Sequence, residues 1–297
     1  MLFRVNRRFW DKTRATSALI CKGHINTMKD FSRLCIHTMT TKPWSLEEIL
    51  DGYTRAGVPG ITVWRHHIEP YGAEKAGKML RDSGLKVVSL CRGGFFPATG
   101  AAAREEARTE NRRIIDEAAS IGAPLVVLVC GAHPEIPLPD ARQHILDGIA
   151  AVLPHAEAAG VKLSIEPLHP MYAGDRSAVN TLEQANNMVV ALNSPWVGVT
   201  VDVYHCWWDP MLKSDIQRAG NSVLSFHVCD WRTPTRDILN DRGMMGEGCI
   251  DIPGIRKWVE ATGFNGFVEV EIFSNQFWAW DQNALMERIK EAFLTSV

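Results

Sequence analysis

The chain has no apolar run approaching the roughly 20 residues that a bilayer-spanning helix needs, which argues against a helical membrane protein. It has no paired cysteine motif either. Its seven cysteines (Cys21, Cys35, Cys91, Cys130, Cys206, Cys229 and Cys249) are odd in number and scattered. Neither a disulfide framework nor a zinc–thiolate site is expected from that pattern, and a reducing cytoplasm is the simple reading. An excess of charge is missing as well: 32 Lys and Arg stand against 34 Asp and Glu, a net charge of -2. Without bulk attraction to phosphate backbones or anionic lipid, nucleic acid and membrane surfaces are not expected partners. No internal repeat and no linker divides the chain.

What is present is ordinary globular material, 46% hydrophobic and 22% charged. The first stretch differs, with Arg4, Arg7, Arg8, Lys12, Arg14 and Lys22 against one acid, Asp11. It lacks the continuous apolar core of a secretory signal. Residues 1–27 are read as a disordered N-terminal extension, and residues 28–297 as one folded domain. The whole length of 297 residues suits a single (β/α)8 barrel with a short addition.

From Phe31 onward, short β-branched runs alternate with helical spacing. The runs Leu34–Thr38, Gly60–Trp64, Lys86–Cys91, Pro124–Cys130, Lys162–Glu166, Val197–Val203, Val223–Cys229 and Gly266–Ile272 read as buried parallel strands. Helices are expected from a capping box at Ser45 and Glu48 to Gly57, and over Arg104–Ile121, Ala141–Ala159, Thr181–Leu192, Ile252–Thr262 and Asp281–Leu294. Pro154 would kink the third of these. The alternation predicts an α/β fold, and eight units favour closure into a barrel over an open sheet.

In such a barrel the chemistry gathers at the C-terminal strand ends. Glu166, Asp202 and Glu271 each lie near the end of an apolar run, and His227 ends the seventh. Charged acids are rarely buried without a partner or a metal, and no Lys or Arg lies within these strand ends to pair with them. Three carboxylates and one imidazole from four adjacent strands predict one divalent-metal site. Oxygen and nitrogen donors in that ratio suit Mn²⁺ first, with Mg²⁺ or Co²⁺ as alternatives, better than structural zinc. Glu269 shares a face with Glu271 and reads as a deeper, hydrogen-bonded neighbour. Asp230 is either a partner for His227 or a loop residue. His37, Trp64, His66, His67, Arg92 and Phe95 follow strands one to three and should face the same mouth. The buried-type cysteines read as small fillers rather than nucleophiles.

The ordered set Glu166, Asp202, His227 and Glu271 resembles the xylose isomerase-like TIM barrels, in particular the ketose 3-epimerase branch. Asp202-Val203-Tyr204-His205 is similar to the Asp-x-x-His of those epimerases. Arg242 through Ile250 resembles their Arg-x-x-x-Gly-x-Gly-x-Ile segment, and Gly263-Phe264-Asn265-Gly266 their Gly-Tyr-x-Gly. The resemblance covers nearly the whole chain from Phe31. It implies a metal-dependent sugar isomerase or epimerase, with Glu166 and Glu271 moving the proton and His205 and Arg242 on substrate oxygens. His37 and Trp64 are further substrate-side candidates. Two features depart from the branch: Glu166-Pro167-Leu168-His169-Pro170, and the longer segment from His227 to Thr235. Both resemble the large subunit of C-glycoside deglycosidases. That likeness implies an alternative, a lyase acting on a 3-keto-glycoside with His169 as base, and a small partner subunit in place of a homo-oligomer. No arginine cluster or glycine-rich phosphate loop follows strands seven and eight, which favours an unphosphorylated sugar. A related barrel that cleaves abasic DNA would need more histidines and a basic face.

Overall fold

Each of the eight apolar runs forms a strand in the computed structural model, which describes residues 30–297; the expected extension over residues 1–27 lies outside the described residues. The strands are β1 Leu34–His37, β2 Gly60–Trp64, β3 Lys86–Gly94, β4 Leu125–Val129, β5 Lys162–Glu166, β6 Val197–Asp202, β7 Val223–Val228 and β8 Val268–Val270. All pair in parallel with their neighbours in chain order. β8 returns to β1 with Leu34 opposite Val268 and Ile36 opposite Val270, so the barrel closes.

A longer helix follows each strand: α1 Leu46–Ala56, α2 Ala73–Ser83, α3 Ala101–Ile121, α4 Leu138–Ala159, α5 Leu182–Leu192, α6 Leu212–Ala219, α7 Ile252–Glu260 and α8 Gln282–Ser296. The capping box at Ser45 and Glu48 is complete in both directions. α4 runs through Pro154 as one helix. The sequence reading omitted α2 and α6, for a physical reason. α2 starts from Gly72 and α6 from Met211, and neither residue caps its helix with a side chain. At 11 and 8 residues they also lack the length by which α3 and α4, equally without a side-chain cap, are still legible.

Side-chain parity splits the barrel into two environments. Outward residues such as Ile36, Ile61, Leu163, Val199, Phe226 and Val270 join the apolar core between strands and helices. Inward residues are largely polar: Thr62, Ser89, Ser164, Thr200, Ser225 and Glu269 are all buried. Bulky aliphatic side chains usually fill this layer. Small hydroxyls occupy it here, and the acid they surround lies directly below the strand ends that carry the candidate site.

Candidate metal centre

Each expected ligand stands two residues past a polar inward residue on its own strand, so parity brings them to one level. The pairs are Ser164 and Glu166 on β5, Thr200 and Asp202 on β6, and Ser225 and His227 on β7; on the last strand they are Glu269 and Glu271. One donor atom from each of Glu166, Asp202, His227 and Glu271 can be chosen so that all four lie within 4.8 Å of one another. All four residues are buried. Two overlapping triads, both through His37, are the other such groupings among the described residues.

His227 shows how the layer below serves the layer above. Its Nε2 lies 2.9 Å from Ser225 Oγ and 3.7 Å from a Glu269 oxygen. Its Nδ1 points toward Glu166 Oε1 at 3.1 Å, yet both of those buried atoms lack a hydrogen-bond partner among the described residues. Two buried donor-set atoms, aimed at one point and unsatisfied by protein, fit a cation between them. The arrangement of carboxylate behind imidazole is the usual way to fix a ligating histidine. Ser225, itself bonded to Glu269, therefore fills the role for which Asp230 is a candidate. Asp230 instead accepts the backbone N–H groups of Trp231, Gly246 and Ile250.

Glu269 is tied from several sides: Thr62 Oγ1 and Ser89 Oγ reach one oxygen at 2.5 and 3.3 Å, and Ser225 Oγ the other at 2.5 Å. His37 Nε2 lies 3.3 Å from it, and His37 Nδ1 lies 3.0 Å from Glu271. Burial opposes the ionisation of Glu269, but His227, His37 and Ser225 outweigh it and hold the carboxyl down at about 2. Burial likewise opposes protonation of His37, and the two glutamates outweigh it, raising the ring to about 9. His37 is fully enclosed and braces the floor of the site, whereas Trp64 reaches the cavity wall.

No Lys or Arg lies within the strand ends that carry the acids, as expected, but a basic side chain from elsewhere does pair them. Arg242 Nη1 lies 2.7 Å from Glu271 Oε2 and 3.2 Å from Asp202 Oδ2. It stands outside those strand ends, in a two-residue antiparallel ribbon in which Arg242 pairs with Trp231. The rings of Tyr204 and Phe273 hold its guanidinium at 4.4 and 4.8 Å. Burial would raise the Glu271 carboxyl, yet Arg242 and His37 hold it well below the usual range. Asp202 is pushed up to about 7 by burial, against the pull of Arg242 and with repulsion from Glu271 and Glu166. His205 is buried, takes the His169 backbone N–H on Nδ1, and sets Nε2 3.2 Å from Arg242 Nη2.

Above the acids lies a cavity of about 320 Å³, within the range of small-molecule sites. Glu166, Glu271, His205, Arg242 and Trp64 open onto it, with Phe273 and Trp278 as aromatic wall. His169 does not line it. Its ring packs against Trp231 and Trp208 with centroids at 5.0 and 5.7 Å, and its Nδ1 accepts the Met171 N–H. Lys42, Arg92, Arg176 and Asn240 also line the cavity. Of these, only Arg92 was placed at the mouth by sequence; the others sit in loops whose spacing carries no signal. No helix among the described residues is long and apolar enough to cross a membrane.

Residues 50–293 match the xylose isomerase-like TIM barrel family. A solved protein from Sinorhizobium meliloti is 46% identical, with a TM-score of 0.87 over 90% of this chain and 99% of that one. The IolI protein, solved with a bound zinc atom, has a TM-score of 0.78 at 22% identity, covering 89% of this chain and 98% of its own. An inosose isomerase of Bacillus velezensis is 24% identical over 87% of this chain and 95% of its own length. A 3-dehydroshikimate dehydratase of Pseudomonas putida is 26% identical over 78% of this chain, which spans only 37% of that longer protein.

Proposed function

Because the chain belongs to the xylose isomerase-like TIM barrel family, we propose that it is a divalent-metal-dependent isomerase or epimerase. Its substrate is a sugar or a related polyhydroxy carbonyl compound, and the reaction removes a proton from the carbon beside the carbonyl. The observation that carries this reading is the four-residue donor set at the floor of the cavity, with Glu166 Oε1 and His227 Nδ1 buried and unpartnered among the described residues. Isomerases among the relatives, and zinc in IolI, support it. Mn²⁺, Mg²⁺, Co²⁺ and Zn²⁺ all accept this mixed donor set.

When bound, the ion supplies Lewis-acid neutralisation of the charge that develops on an enediolate. The chain's own residues do the rest. Glu166 and Glu271 are the two carboxylates facing the cavity, and they are the proton-moving pair: one takes the proton from the substrate carbon and the other returns it. Positioned bases of this kind contribute about 10²–10⁴-fold. Arg242 and His37 keep Glu271 ionised and ready. Trp64, Phe273 and Trp278 give the sugar an apolar wall, while His205 and Arg242 present polar edges to its hydroxyls. The alternative lyase reading needs His169 at the substrate, and the ring's packing beside Trp231, away from the cavity lining, favours the glutamate pair.

The test is deuterium wash-in from D₂O, followed by NMR with Mn²⁺ present, on inososes, ketohexoses and 3-keto-glucosides. Exchange at the carbon beside the carbonyl, lost in Glu271→Gln and kept in His169→Ala, is the expected result. Exchange confined to a 3-keto-glucoside and lost in His169→Ala would transfer the reaction to the lyase.

A further inference from the structure

The cavity that opens onto Glu166 and Glu271 is also lined by Lys42, Arg92 and Arg176. Arg92 lies at the C-terminal end of β3, and Lys42 and Arg176 come from the segments after β1 and β5, away from the β7 and β8 loops where phosphate sites in such barrels commonly lie. Arg242 spends its charge on Asp202 and Glu271. Among the described residues, none of the other three has a carboxylate within ion-pair distance.

Each of them lies over an aromatic ring. Arg92 sits over Phe95 at 4.4 Å, Arg176 over Tyr172 at 5.6 Å, and the Lys42 ammonium over Trp278 at 4.6 Å. Rings satisfy the flat faces of the guanidinium groups and leave their N–H edges free. Arg92 Nη1 is buried with no hydrogen-bond partner among the described residues. Burial, and then the nearby charge of Arg176, push the Arg92 guanidinium below its ordinary value. Like charges held together and partly desolvated call for a counter-charge.

We propose that Arg92 and Arg176, with Lys42, form an oxyanion subsite for a carboxylate or phosphate carried by the substrate. The substrate is then a polyhydroxy carbonyl compound that also bears an anionic group. This deepens the proposed function, since it takes the same cavity as the substrate site. Guanidinium forks pair bidentately with either kind of oxyanion, so the two sources share one recognition chemistry.

The experiment is calorimetric titration of the full chain with D-glucitol, D-gluconate and D-glucitol 6-phosphate, in EDTA and again with Mn²⁺. At least one anionic probe should bind about tenfold or more tighter than the neutral polyol, a hydrogen-bonded charge being worth about that factor. The preferred anion assigns the source as carboxylate or phosphate. Arg92→Met and Arg176→Met, which keep the apolar stem on its ring, should each remove most of that preference and leave D-glucitol unchanged. Equal binding of the three probes, no binding of either anion, or a preference that survives in both variants overturns the subsite. Because the EDTA arm needs no metal, failure of the metal reading and failure of the subsite are separately visible.

Discussion

At the scale of single residues, the site rests on Glu269, a buried acid that does not open onto the cavity. Replacing it by Gln leaves His37 without one of its two carboxylates and breaks the fit with Ser225, Ser89 and Thr62. Removing one partner of a buried ion pair costs about 3–5 kcal/mol, so Glu269→Gln should lower the urea midpoint strongly. The pH dependence follows from both partners. The Glu269 carboxyl lies below its ordinary 4.5, at about 2, so its stabilisation is complete above 4.5 and lost as pH falls through 2. The His37 ring lies above its ordinary 6.5, at about 9, so its share is complete below 6.5 and lost as pH rises through 9. The metal-free protein should therefore draw most from this pair between pH 4.5 and 6.5. Urea titrations across pH should show that dome, flattened in Glu269→Gln. Ser225→Ala is milder. It frees His227 Nε2 and a Glu269 oxygen from one partner each and should weaken metal binding by about 10–100-fold, read by competition with a fluorescent chelator, while lowering the melting temperature less than Glu269→Gln does.

The four strand-end residues could be found in the sequence because each is a polar side chain at the end of an apolar run. Arg242 was assigned to substrate by resemblance, and its contact with two acids was invisible because only folding of the β7–β8 loop brings it back over β6 and β8. The hydroxyl layer did carry a signal: Ser or Thr two positions before the ligands on β5, β6 and β7. Taken one strand at a time, a Ser in a strand means little.

At the scale of elements, strands and capped helices were legible, and boundaries less so. β3 continues to Gly94, three residues past its expected end. Gly94 has φ 108°, and a Cβ there would meet Val129 O of β4 at 2.0 Å. Close approach of β3 to β4 thus requires glycine at this position. Gly57 ends α1 at φ 71° with open space around it. Gly57→Ala should cost only the left-handed penalty, about 1–2 kcal/mol, and Gly94→Ala clearly more, because backbone must also move. Thermal melts of the two variants compare them directly. At the other end of α1, Ser45→Ala removes a capping box and should cost about 1 kcal/mol.

At the scale of the whole molecule, closure of the barrel is what turns scattered acids into one site. Glu166 and Glu271 are distant in sequence and lie on strands that are not neighbours, yet the ring brings both to one cavity floor. His227 and His37, together with inward hydroxyls in place of aliphatic side chains, hold Glu269 ionised in that interior. The same closure sets Lys42, Arg92 and Arg176, without an ion-pair partner among the described residues, around that cavity, so floor and wall carry opposite charge. The proposed substrate class draws on both; the strand ends make the floor legible in the sequence, together with Trp64 and Arg92 of the wall, while Lys42 and Arg176 carry no such signal.

The most direct test of a metal-dependent site is metal stoichiometry by mass spectrometry and calorimetry on the full chain, after EDTA treatment and reloading with Mn²⁺ or Zn²⁺. One divalent ion per chain, lost in His227→Ala and in Glu166→Gln but kept in His169→Ala, is the result expected here. A protein that takes up no ion, or one whose ion survives both of the first two substitutions, would contradict the account.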